Sequence, residues 1–322
     1  MLAVSTTCLS ILAKLTNREI DRLFDADVVG HELGPEVPAD SLDALADAIR
    51  RGKRTIVSLR APCPGPRVSA EPDRLAPPAR LSSLDASERQ EAIERVRNTL
   101  ELSAKLEARH VILDGGVNSA TFDVEQIEQL IARREWAADG GRIFREHFAE
   151  RRAKFAPAHL DALRFALEPL LELAESLEIQ LALLNPGSPE RIPNHEEFIQ
   201  IAETFRGAPL GLWFDPAHAS VLAELGFEDP LITQSIVEEH VVGVQLHDRH
   251  ELEYGYLPGE GSVDYRAWAE RLPPEIPKVL TPIPTHSGER IGRSLEYLRS
   301  LGFEGPPPKW VEPFPIIGGG SS

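Results

Sequence analysis

Eight short apolar runs of strand length punctuate the chain, and their spacing restricts the fold more than any other feature. They read LAVSTTCL from Leu2, DVVGHELG from Asp27, RTIVSLRAP from Arg54, RHVILDGG from Arg109, IQLALLNPG from Ile179, LGLWFDPAH from Leu210, VVGVQLHD from Val241 and KVLTPIP from Lys278. Each is apolar at neighbouring positions instead of alternating, the pattern of parallel strands covered by helices on both faces. Helical patterns fill the intervals. Asp40 stands ahead of Leu42, Leu45 and Ile49; Ser87 with Gln90 makes a capping-box pattern before Ile93, Val96 and Leu100; Asn194 with Glu197 repeats it before Phe198 and Ile201. Further helices are predicted from about Pro157 to Leu177 and from about Ser287 through Leu298.

Strand and helix alternating around the whole chain predict an α/β protein, a single (β/α)8 TIM barrel. The 322 residues, 42% of them hydrophobic, suffice for one such core. The barrel is expected over residues 1–303, with an α-helical insertion at about 121–156, between strands four and five, lying over the mouth of the barrel or beside it. Residues 304–322 form a Pro/Gly-rich tail.

Net charge and cysteine content narrow the function. A charge of -17 opposes binding to a phosphate backbone, which draws its affinity from Lys and Arg, so no nucleic-acid partner is expected. No window reaches the ~20 apolar residues needed to cross a bilayer, and the N-terminus lacks the basic start of a signal peptide. Cys8 and Cys63 make no disulfide framework. The expectation is a cytoplasmic protein without a membrane partner.

In such a barrel the chemistry sits at the C-terminal ends of the strands. Those ends carry Glu32 on strand two, Arg60 on strand three, Asp114 on strand four, Leu184 and Asn185 on strand five, Asp215 and then His218 on strand six, Gln245, His247 and Asp248 on strand seven, and Thr281 on strand eight. Asp215 and His218 are candidate catalytic residues, with His218 as acid or base and Asp215 orienting it. Glu32, Arg60, Asp114, Gln245, His247 and Asp248 are candidate substrate contacts. The simpler structural account of each stays open. Asp215 would cap the next helix, His247 and Asp248 would be solvated, and Arg60 would join an ion-pair network with Glu32, Asp114 and Asp215. Ser287, in PTHSGER, would be a plain helix cap.

The order SLRAP, VILDGG, LALLN, LWFDPAHA, VQLHD and YLPGEGSVDY over residues 54 to 264 resembles the xylose isomerase-like TIM barrels, which include sugar phosphate isomerases and epimerases and the endonuclease IV type of nuclease. The resemblance implies a divalent metal held by a Glu ending strand five, an Asp ending strand six, a His on strand seven and a Glu ending strand eight. The metal would polarise sugar oxygens while the two glutamates exchange a proton with carbon. Here those positions hold Leu184, Asp215, Gln245 and Thr281, so three of the four ligands are missing and no metal or other cofactor is expected. The nuclease branch would need a further Asp-x-His where this chain has Glu253 and Gly255.

Two functional classes follow. One is a pseudoenzyme, a barrel without its metal site that binds a ligand or a protein partner, and the residue chemistry favours it slightly. The alternative is a metal-independent isomerase, epimerase or lyase acting on a small carbohydrate or phosphosugar. An open cavity joining Arg60, Asp215, His218, Gln245 and His247 would mark a surviving site; apolar filling around Leu184 would mark a structural barrel. Whether the chain forms a homo-oligomer stays open.

Overall fold

The computed structural model describes residues 1–9, 28–52, 54–68, 71–75, 79–120 and 122–305. The tail from 306 onward and Thr121, where the expected insertion begins, lie outside them. Eight parallel strands close into a barrel: β1 (Leu2–Ser5), β2 (Gly30–Leu33), β3 (Thr55–Arg60), β4 (His110–Leu113), β5 (Gln180–Leu184), β6 (Leu210–Phe214), β7 (Val241–Leu246) and β8 (Lys278–Leu280). Every strand pairs with its sequence neighbours, and β1 closes on β8 through Leu2–Lys278, Ala3–Val279 and Val4–Leu280. The single (β/α)8 barrel read from the alternation is the observed fold.

The helices are α1 (Leu42–Arg51), α2 (Ala86–Lys105), α3 (Val124–Ala132), α4 (Asp139–Ser176), α5 (His195–Thr204), α6 (Pro216–Glu224), α7 (Pro230–His240), α8 (Tyr265–Ala269) and α9 (Gly288–Ser300). Their inner faces pack on the outside of the barrel through one extended apolar cluster that includes Leu45, Leu100, Leu167, Ile201, Ile236 and Leu295. Local capping departs from the sequence reading at two helices. Asp85, not Ser87, caps α2, accepting from the amides of Ser87 and Glu88 at 2.8 and 2.9 Å. Asp40 falls in a short 3-10 turn, and Ser41 precedes α1 without a side-chain cap. The Asn194–Glu197 capping box forms as expected.

Inside the barrel, side chains stack in layers because successive residues of a strand point to opposite faces. The lower layer is apolar and includes Ala3, Val57, Ile112, Ala182, Trp213 and Val279. Trp213 fills most of that space, and it fits only because β7 offers Gly243 beside it: a Cβ there would lie 2.0 Å from the indole. Two residues further along each strand comes the layer that contains Asp114, Leu184, Asp215, Gln245 and Thr281. The apolar plug thus forms the floor, and the polar candidates stand one step above it.

Between β4 and β5 the chain runs through α3 and the 38-residue α4, which passes Pro157 and Pro169 without ending. The sequence reading started a helix near Pro157; apolar burial on both sides of it, by Phe144 and Phe148 before and Leu160 and Leu163 after, carries the helix through. The first half packs in an aromatic cluster with Phe122, Trp136 and Phe227 and reaches Leu252 and Tyr254 at the barrel mouth. Arg152 on this half donates to the carbonyls of Pro189 and Arg191 in the loop after β5 and pairs with Glu197. No helix among the described residues is long and apolar enough to cross a membrane.

Candidate functional site

The strand-six end builds the centre of the site. Asp215 ends the β6 run and caps α6, its Oδ1 accepting from the amides of Ala217 and His218 at 3.0 and 3.1 Å. One turn of helix then places His218 above the carboxylate, with Nδ1 3.6 Å from Asp215 Oδ2. Asn185 at the end of β5 locks the strand end in place: its side chain accepts from the Asp215 amide at 2.6 Å and donates to the Asp215 carbonyl at 3.2 Å. The Asn185 carbonyl lies 3.2 Å from His218 Nδ1. A carbonyl only accepts, so Nδ1 carries the hydrogen and the neutral ring keeps its lone pair on Nε2.

β7 brings the third member. His247 Nε2 lies 2.6 Å from Asp215 Oδ2, and both side chains are buried. The simpler structural account of His247 as a solvated loop residue does not hold: it is buried, two residues beyond Gln245 on the same inward face. Tyr265 holds its backbone through a hydroxyl donated to the His247 carbonyl. The rings of His218 and His247 meet edge to face at 5.4 Å, and Tyr254 closes the group with its ring 4.9 Å from His218 and its hydroxyl donating to the Gly187 carbonyl at 2.8 Å.

Electrostatics separate the two histidines. Burial works against charge on His247, but the Asp215 carboxylate in direct contact raises its pKa above the ordinary imidazole range. Burial pushes Asp215 up as well, yet the two neighbouring histidines outweigh it and hold the carboxyl below its usual value. His218 goes the other way, lowered first by burial and then by the positive His247, against the pull of Asp215. The result is an Asp215–His247 ion pair beside a neutral His218.

A cavity of about 380 Å³ opens over this group, lined by Arg60, Asp114, Leu184, Asn185, Pro186, Gly187, Ser188, Arg191, Ile192, His218, Gln245 and Tyr254. Of the residues expected to converge, Arg60, His218 and Gln245 line it, joined by Asp114, while Asp215 and His247 lie behind His218. Leu184 forms part of the floor and packs on the apolar plug instead of filling the cavity. The Gln245 amide oxygen is buried without a hydrogen-bond partner among the described residues.

The remaining candidates are placed as follows. Glu32 is fully buried, accepts from the hydroxyls of Ser5 at 2.8 Å and Ser58 at 3.1 Å, and has its pKa raised by burial against the pull of Arg60. Among the described residues the one carboxylate near Arg60 is Glu32, at 3.8 Å; the larger network with Asp114 and Asp215 does not form, and Asp114 pairs with Arg191 across the mouth. Asp248 is buried away from the cavity, its carboxylate accepting from the amides of Arg249, Gly259, Gly261 and Val263 at 2.9 to 3.1 Å. It organises the PGEG turn. The Thr281 hydroxyl donates to the Leu246 carbonyl at 3.2 Å. Ser287 caps α9, accepting from the Arg290 amide.

Arg191 joins the site from the loop after β5 and Tyr254 from a short hairpin strand (Glu253–Tyr256) that follows β7, with no pattern in the sequence to mark them. Asn185 is visible at a strand end, but its clamp on Asp215 depends on the pairing of β5 with β6.

A family model described as xylose isomerase-like TIM barrel matches residues 23–301. The chain belongs to this family. No curated protein sequence matches it. Among solved structures, a D-tagatose 3-epimerase-like protein is 15% identical with a TM-score of 0.65, over 93% of this chain and 96% of the other. An L-ribulose 3-epimerase is 13% identical with a TM-score of 0.64, over 94% of each chain. A Thermus thermophilus protein soaked with ZnCl2 is 21% identical with a TM-score of 0.56, over 95% of this chain and 98% of the other. At these identities the likeness establishes the barrel.

Within the family frame, the donors that remain can be tested for a metal. Asp215, His218 and His247 each bring one ligand atom within 4.8 Å of the others. One carboxylate and two imidazoles is a set that zinc accepts with water in the fourth position. Leu184 and Thr281 add no anionic donor, so the residues fit a three-donor centre and not the four-ligand one. The expectation of no metal ligands considered Asp215 and His218 without His247, whose burial beside them the sequence did not disclose.

Proposed function

We propose that this barrel binds a small carbohydrate and moves a proton on it through His218, acting as a metal-independent isomerase-like enzyme. The observation that carries the reading is the orientation of His218. Its Nδ1 is held by the Asn185 carbonyl, and Nε2 sits beside Gly187 in the cavity wall with no protein partner among the described residues. A neutral imidazole with a free lone pair at a cavity wall is suited to general base catalysis near neutral pH. The Asp215–His247 pair behind it fixes the ring without taking its proton.

The step follows from these groups. His218 Nε2 removes the proton from the carbon that bears a hydroxyl next to the sugar carbonyl, and the electron pair moves to the carbonyl oxygen as an enediolate. Gln245 and Arg60 supply donors for that oxygen. The proton on Nε2 exchanges with solvent while the enediolate is held, and return of a proton from Nε2 to the neighbouring carbon, with transfer of the hydroxyl proton to the enediolate oxygen, completes a 1,2 isomerisation. One base serves both carbons on one face of the enediol. Epimerisation would require a second group on the opposite face, and Leu184 and Thr281 offer none.

A second reading, the three-donor centre, is supported by the proximity of Asp215, His218 and His247. A divalent ion held there would polarise the sugar oxygens, and His218 Nδ1 would have to leave the Asn185 carbonyl. Metal analysis of purified protein and proton NMR of a sugar panel in D2O decide between the two. The proposed reading expects deuterium incorporation that survives chelation and falls at least about 100-fold in His218→Ala. Stoichiometric zinc, manganese or cobalt whose removal abolishes exchange establishes the metal reading instead, and absence of exchange in the metal-free protein, with or without sugar binding, leaves the pseudoenzyme.

A further inference from the structure

The cavity wall opposite His218 carries a guanidinium that the protein itself does not use. Arg60 makes no hydrogen bond among the described residues; its Nε is buried without a partner, and its nearest carboxylate oxygen, on Glu32, is 3.8 Å away. That carboxyl is already committed, one oxygen to the Ser5 hydroxyl and the other to the Ser58 hydroxyl. Neither Glu32 oxygen accepts a hydrogen bond from Arg60, so the guanidinium has no direct acceptor among the described residues. A buried, unmet guanidinium donor costs free energy comparable to a lost charged hydrogen bond, so its retention at a cavity wall points to an acceptor from outside.

The other charges around the cavity fix how much negative charge that acceptor brings. Arg191 and Asp114 cancel each other in a direct pair. No lysine lines the cavity. Among the described lining residues, Arg60 is left as a cation without a direct hydrogen-bonded partner. A carboxylate balances it and matches the planar fork of a guanidinium, whereas a phosphate dianion would bring a second negative charge that no further unpaired cation lining the cavity meets among the described residues.

We propose that the ligand of this cavity is a monoanionic sugar acid whose carboxylate is gripped by Arg60, with the hydroxyl-bearing carbons directed at His218 and Gln245. This rests on the carbohydrate-binding reading above and names the substrate class for the same site. The buried Gln245 amide oxygen, an acceptor lacking a donor, takes a sugar hydroxyl in this arrangement. The volume of about 380 Å³ accommodates a single sugar-acid unit.

Calorimetric titration separates the alternatives. The panel pairs hexuronates and aldonates with the neutral hexoses and alditols of the same carbon skeleton and with the corresponding hexose phosphates, using wild type, Arg60→Gln and Arg60→Lys. The expected result is that an acid binds at least about tenfold more tightly than its neutral counterpart and its phosphate. Arg60→Gln should remove that preference, and Arg60→Lys should restore it only in part, because a lysine keeps the charge and loses the fork. Neutral sugars binding as well as acids, phosphates binding better, or an acid preference that survives Arg60→Gln would overturn the sugar-acid assignment and leave the carbohydrate reading intact. Binding of no sugar in any class would overturn both.

Discussion

Asp215 Oδ2 and His247 Nε2 lie 2.6 Å apart at the bottom of the site, an ion pair formed between adjacent strand ends and closed off from water. Removing one member of a buried pair strands the other, at a cost of about 3–5 kcal/mol. Asp215→Ala should lose at least that, since the same carboxylate caps α6, and His247→Gln should lose less because the amide can still donate to Asp215. Urea unfolding of both variants measures the difference.

The same contact sets a sign for pH. The pKa of His247 is raised in the folded state, so the stability that its charge contributes is fully present below the unfolded value of 6.5 and is lost as pH rises through the folded value. His218 has the opposite sign: its folded value lies below 6.5, so its contribution to stability falls as pH drops from 6.5 through that value. Imidazole resonances in an NMR titration should therefore split, with His247 titrating above pH 6.5 and His218 below it. A shared midpoint would contradict the assignment of charge to one ring and the lone pair to the other.

Acid should unfold the barrel from its strands. His31 and His110 are buried on β2 and β4, and burial lowers their pKa values from 6.5 to about 3 and about 4. Below pH 6.5 the unfolded chain takes up protons that the folded state refuses, so stability falls as pH drops from 6.5 towards those values, by about 1 kcal/mol per pH unit for each histidine. Thermal melts between pH 7 and 4 test this, and His110→Phe should flatten the slope.

Gly243 is set by shape. Its Cβ-bearing replacement would fall 2.0 Å from the ring of Trp213, which has no room to retreat in the barrel interior. Gly243→Ala should cost at least about 2–3 kcal/mol or fail to fold. Restoration of folding by the paired change Gly243→Ala with Trp213→Leu would confirm the cause.

Gly187 ties packing to the chemistry. A Cβ at this position would approach His218 Nε2 to 2.9 Å. Gly187→Ala is expected to leave the fold near wild type, because the loop faces the cavity, while lowering turnover at least about tenfold by turning the ring. A thermal melt beside a rate measurement separates the two effects.

The local parts of this fold were legible because they depend on local chemistry. Consecutive apolar residues mark strands buried on both faces, and side chains three and four apart mark one helical face; Asn194 with Glu197, and Asp215 ahead of α6, were readable as caps for the same reason. The Ser87 and Asp40 caps were misplaced by one or two residues, where several polar side chains compete for the same amides. Pro157 marked a helix start in the sequence and lies mid-helix in the fold, since apolar contacts on both sides outweigh the lost hydrogen bond.

The strand ends named the candidate side chains, and the sequence alone placed Leu184, Asp215, Gln245 and Thr281 at the ends of neighbouring strands. Only closure of the barrel decided what they do. Pairing of β6 with β5 and β7 brought Asn185 and His247 onto Asp215, turned the second ring nitrogen of His218 outward, and separated Arg60 from Asp114 by giving the latter to Arg191. Those contacts join residues some 30 to 77 positions apart. The physical reason is that identity and local period set which face a side chain occupies, while burial, charge state and hydrogen-bond partner are properties of the neighbours that distant strands supply.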